Sequence, residues 1–494
     1  MASQSFHHQL HFILIPLMSP GHLIPVIDMA KLLAQHGIIV TIVSTPLNTV
    51  RFNSIIQRAV ESGLSIHLLQ LDFPSLEAGL PPGCENMDKL PSRNLIKNFY
   101  HAANLLQKPF EELFDKLQPR PSCIISGKNL PWTVNTACKF KIPRIFFDGM
   151  GCFSFSCTHK LEVSKVHETV SKCESFVIPG LPHRIELTKA QLPENLNPGS
   201  EDLTEVRDKL RAADNTADGI VINTFEELET EYVKEYKKVK GDKVWCIGPV
   251  SACNKLKLDQ AERGEKASMN EKKCLQWLDS CERGSVIYAC LGSICGLTGW
   301  QLIELGLGIE ASNHGFIWVI RGGEKSEELE RWILQEGFEE RTKERGLLVR
   351  GWAPQVLILS HPAIGGFLTH CGWNSTLEGV SAGVPLVTCP LFAEQFYNEK
   401  LVVQVLGIGV CAGVEVAVTW GLEDKSGLVM KRDKVKEAIE RVMDKGEEGE
   451  KRRNKARELG EVARNAIEKG GSSYLNMEML IQFVLQQINP SPSM

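Results

Sequence analysis

The residues of this chain whose types and spacing could do chemistry are concentrated between Trp352 and Gln395. Within this segment a short apolar run, Ile364–Thr369, is predicted to be a strand that ends at His370, and Gly372 then opens a predicted helix. The first backbone N–H groups of a helix have no partner inside the helix and attract an anion. The turn therefore has the ingredients of a diphosphate site.

Polar side chains surround this predicted turn. Asn374 and Ser375 add donors at the helix start, and His370 adds another. A second turn after a predicted strand, Gly292-Ser293, could donate from the facing side. The alternative interpretation is an ordinary capped helix in which His370 is a core residue.

The flanks of the segment offer groups for the rest of a nucleotide. Trp352 presents an aromatic face that suits a nucleobase, and the backbone at Ala353 could contact the base edge. Glu378 lies one helical turn beyond Asn374, where a carboxylate can accept hydrogen bonds from ribose hydroxyls. An acid and an amide, Glu394-Gln395, follow the predicted strand Pro385–Cys389 and suit the hydroxyls of a sugar.

The elements that position these residues alternate between short apolar runs and longer amphipathic ones. In the first half, strands are predicted at Phe12–Pro16, Ile38–Ser44, Ser65–Gln70, Ser122–Ser126 and Arg144–Phe147, with helical stretches at Leu23–His36 and Leu95–Leu117. The second half restarts the pattern with strands at Val244–Val250, Ser285–Leu291, Phe316–Ile320, Leu347–Arg350, Ile364–Thr369 and Pro385–Cys389, and helices at Trp300–Ser312, Arg432–Lys445, Glu447–Ile467 and Ser472–Ile488. This rhythm predicts two parallel sheets covered on both faces, with ligands bound beyond the carboxyl ends of the strands.

The segment resembles the signature box of the plant family-1 UDP-sugar glycosyltransferases. That box has 44 residues, as does the segment from Trp352 to Gln395. The landmarks that match are Trp352, Gln355, His370-Cys-Gly-Trp-Asn-Ser375, Glu378 and Glu394-Gln395. The resemblance extends over nearly the whole chain, through Ser19-Pro-Gly-His22, Ile222-Asn-Thr-Phe-Glu-Glu-Leu228, Trp245-Cys-Ile-Gly-Pro249, Trp277-Leu-Asp279 and Leu291-Gly-Ser293.

The resemblance implies a GT-B fold, in which two Rossmann-like α/β domains face each other across a cleft. Residues 1–250 would bind the acceptor, 251–270 would be a linker, and 271–471 would bind the UDP-sugar, while the helix 472–488 would pack back on the first domain. Trp352 and Ala353 would contact uracil, and Gln355 and Glu378 the ribose. The diphosphate would be held by Ser293, His370, Asn374 and Ser375, and the sugar by Glu394 and Gln395. Gly372 and Trp373 would also belong to the UDP-sugar site. Glutamine at the last position favours glucose.

The resemblance also points to a catalytic base near the N-terminus. His22 follows the first predicted strand and lies at a helix start. A neutral histidine there can take a proton from an acceptor hydroxyl that attacks the anomeric carbon, so the configuration of the sugar inverts. The alternative is that His22 belongs to the helix cap and takes no part in chemistry.

One position departs from the family pattern. Relatives place an aspartate after the strand equivalent to Cys123–Ser126, where it holds the histidine ring; this chain has Gly127. Asp148, at the end of the next predicted strand, could replace it. Alternatively, His22 acts alone on an acidic hydroxyl, the protein transfers weakly or not at all, or Gly127 widens the acceptor pocket.

Composition excludes some other classes. With 494 residues, 43% hydrophobic and 23% charged, the chain is predicted to be globular with two domains, and its net charge of -5 argues against nucleic acid as a partner. The apolar run His11–Met18 is too short to span a bilayer and is predicted to be a strand. The 15 cysteines lack paired spacing and are interpreted as reduced thiols of a cytoplasmic protein.

The resemblance therefore implies an inverting, metal-independent O-glucosyltransferase that uses UDP-glucose as co-substrate and needs no cofactor. The expected acceptor is a hydroxylated small molecule of plant secondary metabolism, such as a flavonoid, triterpenoid or steroid, and the expected state is a monomer. Two alternatives stay open: a UDP-sugar-binding relative without efficient transfer, and an enzyme that extends a sugar chain on an existing glycoside.

Overall fold

Two parallel β-sheets organise the protein. The computed structural model describes residues 9–197, 204–214, 216–264, 271–294, 296–321, 326–423, 427 and 429–489. In that part of the chain, a seven-stranded sheet and a six-stranded sheet form two domains, and residues of both line one cleft. This is the α/β fold class with two facing Rossmann-like domains that the sequence predicts.

The N-terminal sheet contains strands whose side chains are largely buried on both faces. In chain order the strands of this half are β1 (His11–Ile15), β2 (Ile39–Ser44), β3 (Ile66–Gln70), β4 (Cys123–Ser126), β5 (Arg144–Asp148), β6 (Ser175–Val177), β7 (Glu186–Thr188), β8 (Gly219–Ile222) and β9 (Val244–Cys246). The sheet order is β3-β2-β1-β4-β5-β8-β9, all parallel, and β6 and β7 form a separate antiparallel pair. Nearly continuous apolar runs such as IVTIVS in β2 are typical of these parallel strands, because helices cover both faces of the sheet and bury both sides of each strand.

The C-terminal sheet repeats the same winding. Its strands are β10 (Val286–Cys290), β11 (Gly315–Ile320), β12 (Gly346–Arg350), β13 (Ile364–Thr369), β14 (Leu386–Thr388) and β15 (Gly409–Cys411). They lie in the order β12-β11-β10-β13-β14-β15 and are all parallel. In both sheets the strand order reverses beside the first strand, between β1 and β4 and between β10 and β13. Ligands bind at such points, beyond the carboxyl ends of the strands.

The helices that cover the sheets are as follows. Those of the first half are α1 (Pro20–Gln35), α2 (Pro46–Glu61), α3 (Ile96–Leu105), α4 (Gln107–Phe114), α5 (Trp132–Phe140), α6 (Cys152–Ser164), α7 (Thr204–Asp214), α8 (Thr230–Lys240) and α9 (Lys257–Ala261). Those of the second half are α10 (Glu271–Asp279), α11 (Gly299–Ala311), α12 (Ser326–Gln335), α13 (Phe338–Thr342), α14 (Gln355–Leu359), α15 (Trp373–Ser381), α16 (Gln395–Lys400), α17 (Arg432–Met443), α18 (Glu447–Ile467) and α19 (Ser472–Ile488).

The polar stretch that connects the two halves is folded over its first part. A 3₁₀ turn at Val250–Cys253 and helix α9 bring it against α1, where Lys31 donates to Asp259 at 2.7 Å. The predicted linker residues 265–270 lie outside the described residues. Helix α19 returns to the first domain, and its side chains Met477, Leu480 and Val484 belong to the apolar core of that domain.

Some elements differ from those predicted. The stretch Leu95–Leu117 contains two helices, α3 and α4, instead of one, and the predicted strand Val244–Val250 ends at Cys246. Every cysteine in the described part of the chain is a free thiol. Within the same part, no helix has both the length and the apolar character that a membrane span requires.

Candidate active site

The turn between β13 and α15 has the shape that an anion requires. Cys371 adopts a left-handed backbone conformation with φ of 63°, and Asn398 donates to its carbonyl at 2.8 Å. A Cβ atom at Gly292 or Gly372 would lie 2.5 or 2.4 Å from Nε2 of His370. Only glycine fits at these two positions, which lets the backbone of both turns approach a ligand closely. The residues present therefore fit a diphosphate at the sheet's switch point.

His370 lines this turn in its neutral form. Burial lowers the pKa of its imidazole to about 4. Its Nδ1 atom has no hydrogen-bond partner among the described residues. A neutral ring donates one hydrogen bond, so His370 can contact a phosphate oxygen without carrying a full positive charge there.

Two signature residues that were predicted to belong to the UDP-sugar site also join the domains. The Trp373 indole donates to the carbonyl of Asn223 at 2.7 Å. Nδ2 of Asn374 donates to the carbonyl of Gly21 at 2.9 Å, directly before His22. These side chains connect the start of α15 to the loop that carries His22, the predicted base. Because both side chains already have these partners, the groups that the two residues can offer a diphosphate include their backbone N–H groups.

The predicted uridine end of the cleft is a connected set of polar groups. Nε2 of Gln355 donates to Glu378 at 2.7 Å and to the Ser375 hydroxyl at 3.1 Å. The Trp352 ring lies nearby, and the Arg321 guanidinium stands 4.8 Å from its centroid. A carboxylate oxygen has two lone pairs, so Glu378 can also accept from ribose hydroxyls.

The predicted sugar contacts lie at the start of α16, directly after a residue with a strained backbone. Ala393 has φ of 53°, in the left-handed region that disfavours side chains, directly before Glu394. Burial raises the pKa of the Glu394 carboxyl. Oε1 of Gln395 accepts from the backbone N–H groups of Leu391 and Phe392 at 2.8 and 3.0 Å, which fixes the amide.

His22 and Asp148 contact each other directly. Nε2 of His22 lies 3.2 Å from Oδ1 of Asp148, although β4 separates the strands β1 and β5 that precede them. The other carboxylate oxygen lies 2.6 Å from Nζ of Lys128. Burial alone would raise the pKa of Asp148, but Lys128 and His22 outweigh it and hold the pKa well below its usual range.

The ring of His22 has one nitrogen available for chemistry. Nδ1 is enclosed and has no hydrogen-bond partner among the described residues. Nε2 faces Asp148, and Nδ2 of Asn129 approaches it at 3.5 Å. The carboxylate therefore lies on the same nitrogen that can meet an acceptor. In a hydrolytic triad the carboxylate instead lies on the opposite nitrogen.

Gly127 does not contribute its surface to the cleft. It is absent from the described residues that line the cavity, whereas its neighbours Lys128 and Asn129 are among them. A Cβ atom at Gly127 would lie 2.9 Å from the carbonyl oxygen of Phe147. The missing side chain thus leaves room for the backbone of β5.

One cleft of about 1120 Å³ brings the predicted site residues together. The predicted residues that line it are His22, Asp148, Ser293, Trp352, Ala353, Gln355, His370, Gly372, Trp373, Asn374, Ser375, Glu378, Glu394 and Gln395. Sequence reasoning missed Lys128, Arg263 and Arg321, which line the same cleft. Among the described residues there is no cluster of His, Cys, Asp and Glu that could hold a metal ion.

The fold and the cleft define a two-domain glycosyltransferase of the GT-B class, and comparison with known proteins gives the family. A model of UDP-glucoronosyl and UDP-glucosyl transferases matches residues 261–444, and a model of the glycosyltransferase N-terminal domain matches residues 8–252. UDP-glycosyltransferase 73C3 of Arabidopsis thaliana is 54% identical over 486 residues, 98% of each chain. The chain belongs to the plant UDP-glycosyltransferase family, and the protein is a UDP-dependent glycosyltransferase.

Solved structures agree with this assignment. The Glycyrrhiza uralensis enzyme UGT73P12, complexed with glycyrrhetinic acid 3-O-monoglucuronide, is 37% identical with a TM-score of 0.89, over 97% of each chain. Arabidopsis thaliana UGT89C1, complexed with UDP-L-rhamnose, is 30% identical with a TM-score of 0.73, over 96% of this chain and 99% of that one.

Proposed function

We propose that this enzyme transfers glucose from UDP-glucose, with inversion, to a hydroxyl group of an apolar plant metabolite such as a flavonoid, triterpenoid or steroid. The single observation that carries the proposal is that His22 and Asp148 share one cleft with His370, Glu394 and the other predicted donor residues. Membership of the family supports a nucleotide sugar as the donor, and the choice of glucose rests on the glutamine at position 395.

The chemistry follows from the His22 environment. Nε2 takes the proton of the acceptor hydroxyl while that oxygen forms a bond to the anomeric carbon, and UDP leaves with the electron pair of the broken C–O bond. For this step the neutral ring carries its hydrogen on Nδ1, so that the lone pair of Nε2 can take the proton. Once on Nε2, that proton can donate to Oδ1 of Asp148, 3.2 Å away, which stabilises the charged ring. His370 and the N–H groups of α15 donate to the leaving diphosphate, and the proton later passes to solvent. No cofactor or metal is part of this route.

The acceptor side of the proposal rests on apolar side chains that line the cleft. Met150, Phe155, Leu192 and Phe392 line the same cleft as His22 and offer it apolar surface. Trp420, which lies on the loop after β15, completes the wall, and Arg93 donates to its carbonyl at 3.0 Å. Both domains thus contribute to the place where an apolar acceptor would lie. We also propose that the enzyme acts as a monomer in the cytoplasm, where thiols stay reduced.

A donor and acceptor panel tests the proposal. Purified protein is incubated with UDP-glucose, UDP-galactose, UDP-xylose or UDP-glucuronic acid and with phenolic, triterpenoid and steroid acceptors, and products are identified by mass spectrometry. We expect UDP-glucose to be the preferred donor and NMR to show a β-glucoside. Preference for another donor would overturn the assignment of glucose. Absence of acceptor-stimulated UDP release, with no effect of His22→Ala, would leave a UDP-sugar-binding protein without transfer.

A second candidate, extension of a sugar chain, has its own support. The cleft is also lined by polar side chains outside the predicted donor site, namely Lys172, Glu194, Asn195, Asn197 and Lys240. The Glycyrrhiza uralensis relative was solved with a compound that already carries a glucuronic acid unit. Comparing kcat/KM for one aglycone and its monoglycoside distinguishes the two functions, because chain extension requires the glycoside to be the better acceptor.

A further inference from the structure

The connecting segment reaches the donor site through one buried arginine. Nε of Arg263 donates to Oδ2 of Asp28 in α1 at 2.7 Å, and its Nη1 donates to Oε1 of Glu378 in α15. The three side chains are only 8%, 2% and 6% exposed. Burial acts to lower the pKa of the guanidinium, but the two carboxylates outweigh it and raise the pKa. Arg263 therefore carries a fixed positive charge between the two domains.

Glu378 is held from both sides by this arrangement. Arg263 occupies one of its oxygens, and Nε2 of Gln355 donates to the other at 2.7 Å. Each oxygen keeps a second lone pair, so two ribose hydroxyls can still donate to the carboxylate. A carboxylate fixed in this way loses little conformational freedom when a ligand binds, which favours affinity.

The residue after Arg263 packs against Trp352, the predicted contact of the nucleobase. Gly264 has φ of 106°, and a Cβ atom there would lie 2.1 Å from the Trp352 ring. The backbone of the connecting segment thus packs against Trp352 where a side chain would not fit. Arg263 and Gly264 thus bring this segment against the predicted ribose contact Glu378 and the predicted base contact Trp352.

We propose that Arg263 is a positioning residue of the donor site, which orients Glu378 toward the ribose hydroxyls of the UDP-sugar and, through Asp28, joins that contact to the helix that carries His22. The inference rests on the proposed donor role of Glu378. It assigns to the segment between the domains a part in nucleotide recognition, beyond connecting them.

The test measures nucleotide binding without catalysis. Dissociation constants of UDP and of 2′,3′-dideoxy-UDP, which lacks both ribose hydroxyls, are determined by isothermal titration calorimetry for the full chain and for Arg263→Met. Because Arg263 acts through Glu378 on the hydroxyls, we expect UDP binding to weaken about tenfold and dideoxy-UDP binding less than twofold. Arg263→Lys, which keeps the charge but cannot reach both acids with two nitrogens, is expected to lie between wild type and Arg263→Met.

A matched control exists in the same segment. Arg58 pairs with Asp259 at 2.9 Å and Glu262 at 2.6 Å but has no contact with Glu378. Arg58→Met loosens the segment as well, and we expect it to change the two affinities by the same small factor.

Three results would overturn the proposal: equal losses for both nucleotides in Arg263→Met, no loss for either, or tighter UDP binding, which would mean that Arg263 obstructs the ribose site. Failure of glucosyl transfer with the ribose effect intact would instead count against the proposed function alone.

Discussion

Replacing Asp148 by asparagine removes the charge that we propose stabilises His22 during transfer. The side chain keeps its shape, and the amide can still contact Nε2 of His22 from about the same place. The wild-type atoms are 3.2 Å apart, and Asp148 is only 6% exposed, so solvent screens the pair weakly. The substitution therefore tests the charge of the carboxylate with little change in packing.

The expected size of the effect follows from the geometry. A hydrogen bond to a charged group contributes about 1.5–3 kcal/mol. At about 1.4 kcal/mol for each factor of ten, kcat falls roughly 10- to 150-fold. Lys128 shares the carboxylate at 2.6 Å, which places the result in the lower half of that range. Loss of a triad aspartate costs more, about 10⁴-fold, because that carboxylate also fixes the tautomer from the opposite nitrogen.

The assay follows UDP release at saturating UDP-glucose and a phenolic acceptor. The KM for UDP-glucose should stay within about twofold, because Asp148 is expected to act on the proton and not on the nucleotide. The double variant with His22→Ala is the control: if Asp148 acts through His22, it is no slower than His22→Ala alone. An unchanged kcat in Asp148→Asn, or losses that multiply in the double variant, would refute the reasoning.

Three further predictions concern neighbouring residues. Gly127→Asp should lower kcat instead of restoring the family's usual pair, because its Cβ would lie 2.9 Å from the carbonyl oxygen of Phe147. The control Gly127→Ala should lower kcat nearly as much, and a higher kcat with aspartate would contradict this. As the pH falls from 6.5 to 4, His370 should lower the free energy of unfolding by about 1–2 kcal/mol. The reason is that the histidine of the unfolded chain takes up a proton in this range, whereas the folded imidazole, with a pKa of about 4, takes it up only at lower pH. The expected loss allows for partial exposure of the ring to the cleft. Urea titrations of His370→Gln should show a fall in the free energy of unfolding over the same pH range that is smaller by that amount. Gln395→Glu keeps the two backbone bonds to Oε1 but loses the amide donor, so the KM for UDP-glucose should rise about tenfold while the melting temperature stays unchanged.

The sequence predicted the fold, and it predicted donor residues that line one cleft, because both depend on local patterns. Buried parallel strands appear as continuous apolar runs, and His370 follows one of them directly, so its place at the sheet edge follows from β13 alone. The predicted span Ile364–Thr369 has the same bounds in the structure, and those of α18 and α19 also agree. The fixed spacing of the signature box adds the remaining donor residues.

The acceptor half depends on contacts that no local pattern encodes. His22 follows β1 and Asp148 ends β5, two strands that β4 separates in the sheet, yet their side chains meet at 3.2 Å. Arg263 belongs to a polar stretch that has the composition of an exposed linker, yet its side chain is buried by two acids 235 and 115 residues away in the chain. Such pairings are set by tertiary packing, and the sequence offered Asp148 only as one alternative.

Lys128 should determine which acceptors the enzyme prefers. Its ammonium lies 2.6 Å from Asp148 and offsets part of the charge that would stabilise protonated His22. Less stabilisation of the ring as it takes up the proton favours acceptors whose hydroxyl is already acidic, such as phenols, over aliphatic alcohols. Lys128→Met removes the offset, and a partly exposed pair of this kind contributes about 1 kcal/mol. The kcat ratio of an aliphatic to a phenolic acceptor should therefore rise about fivefold.

The measurement is made at pH 8, where the Asp148 carboxylate stays ionised without its lysine partner. Lys128→Arg is the matched control, since it keeps the charge, and its ratio should stay close to that of the wild type. If Lys128 instead served to hold Asp148 in place, Lys128→Met would slow both acceptors by the same factor and leave the ratio unchanged. A specific rise with the alcohol acceptor means that charge balance around one carboxylate, and not the width of the pocket, sets the demand on acceptor acidity.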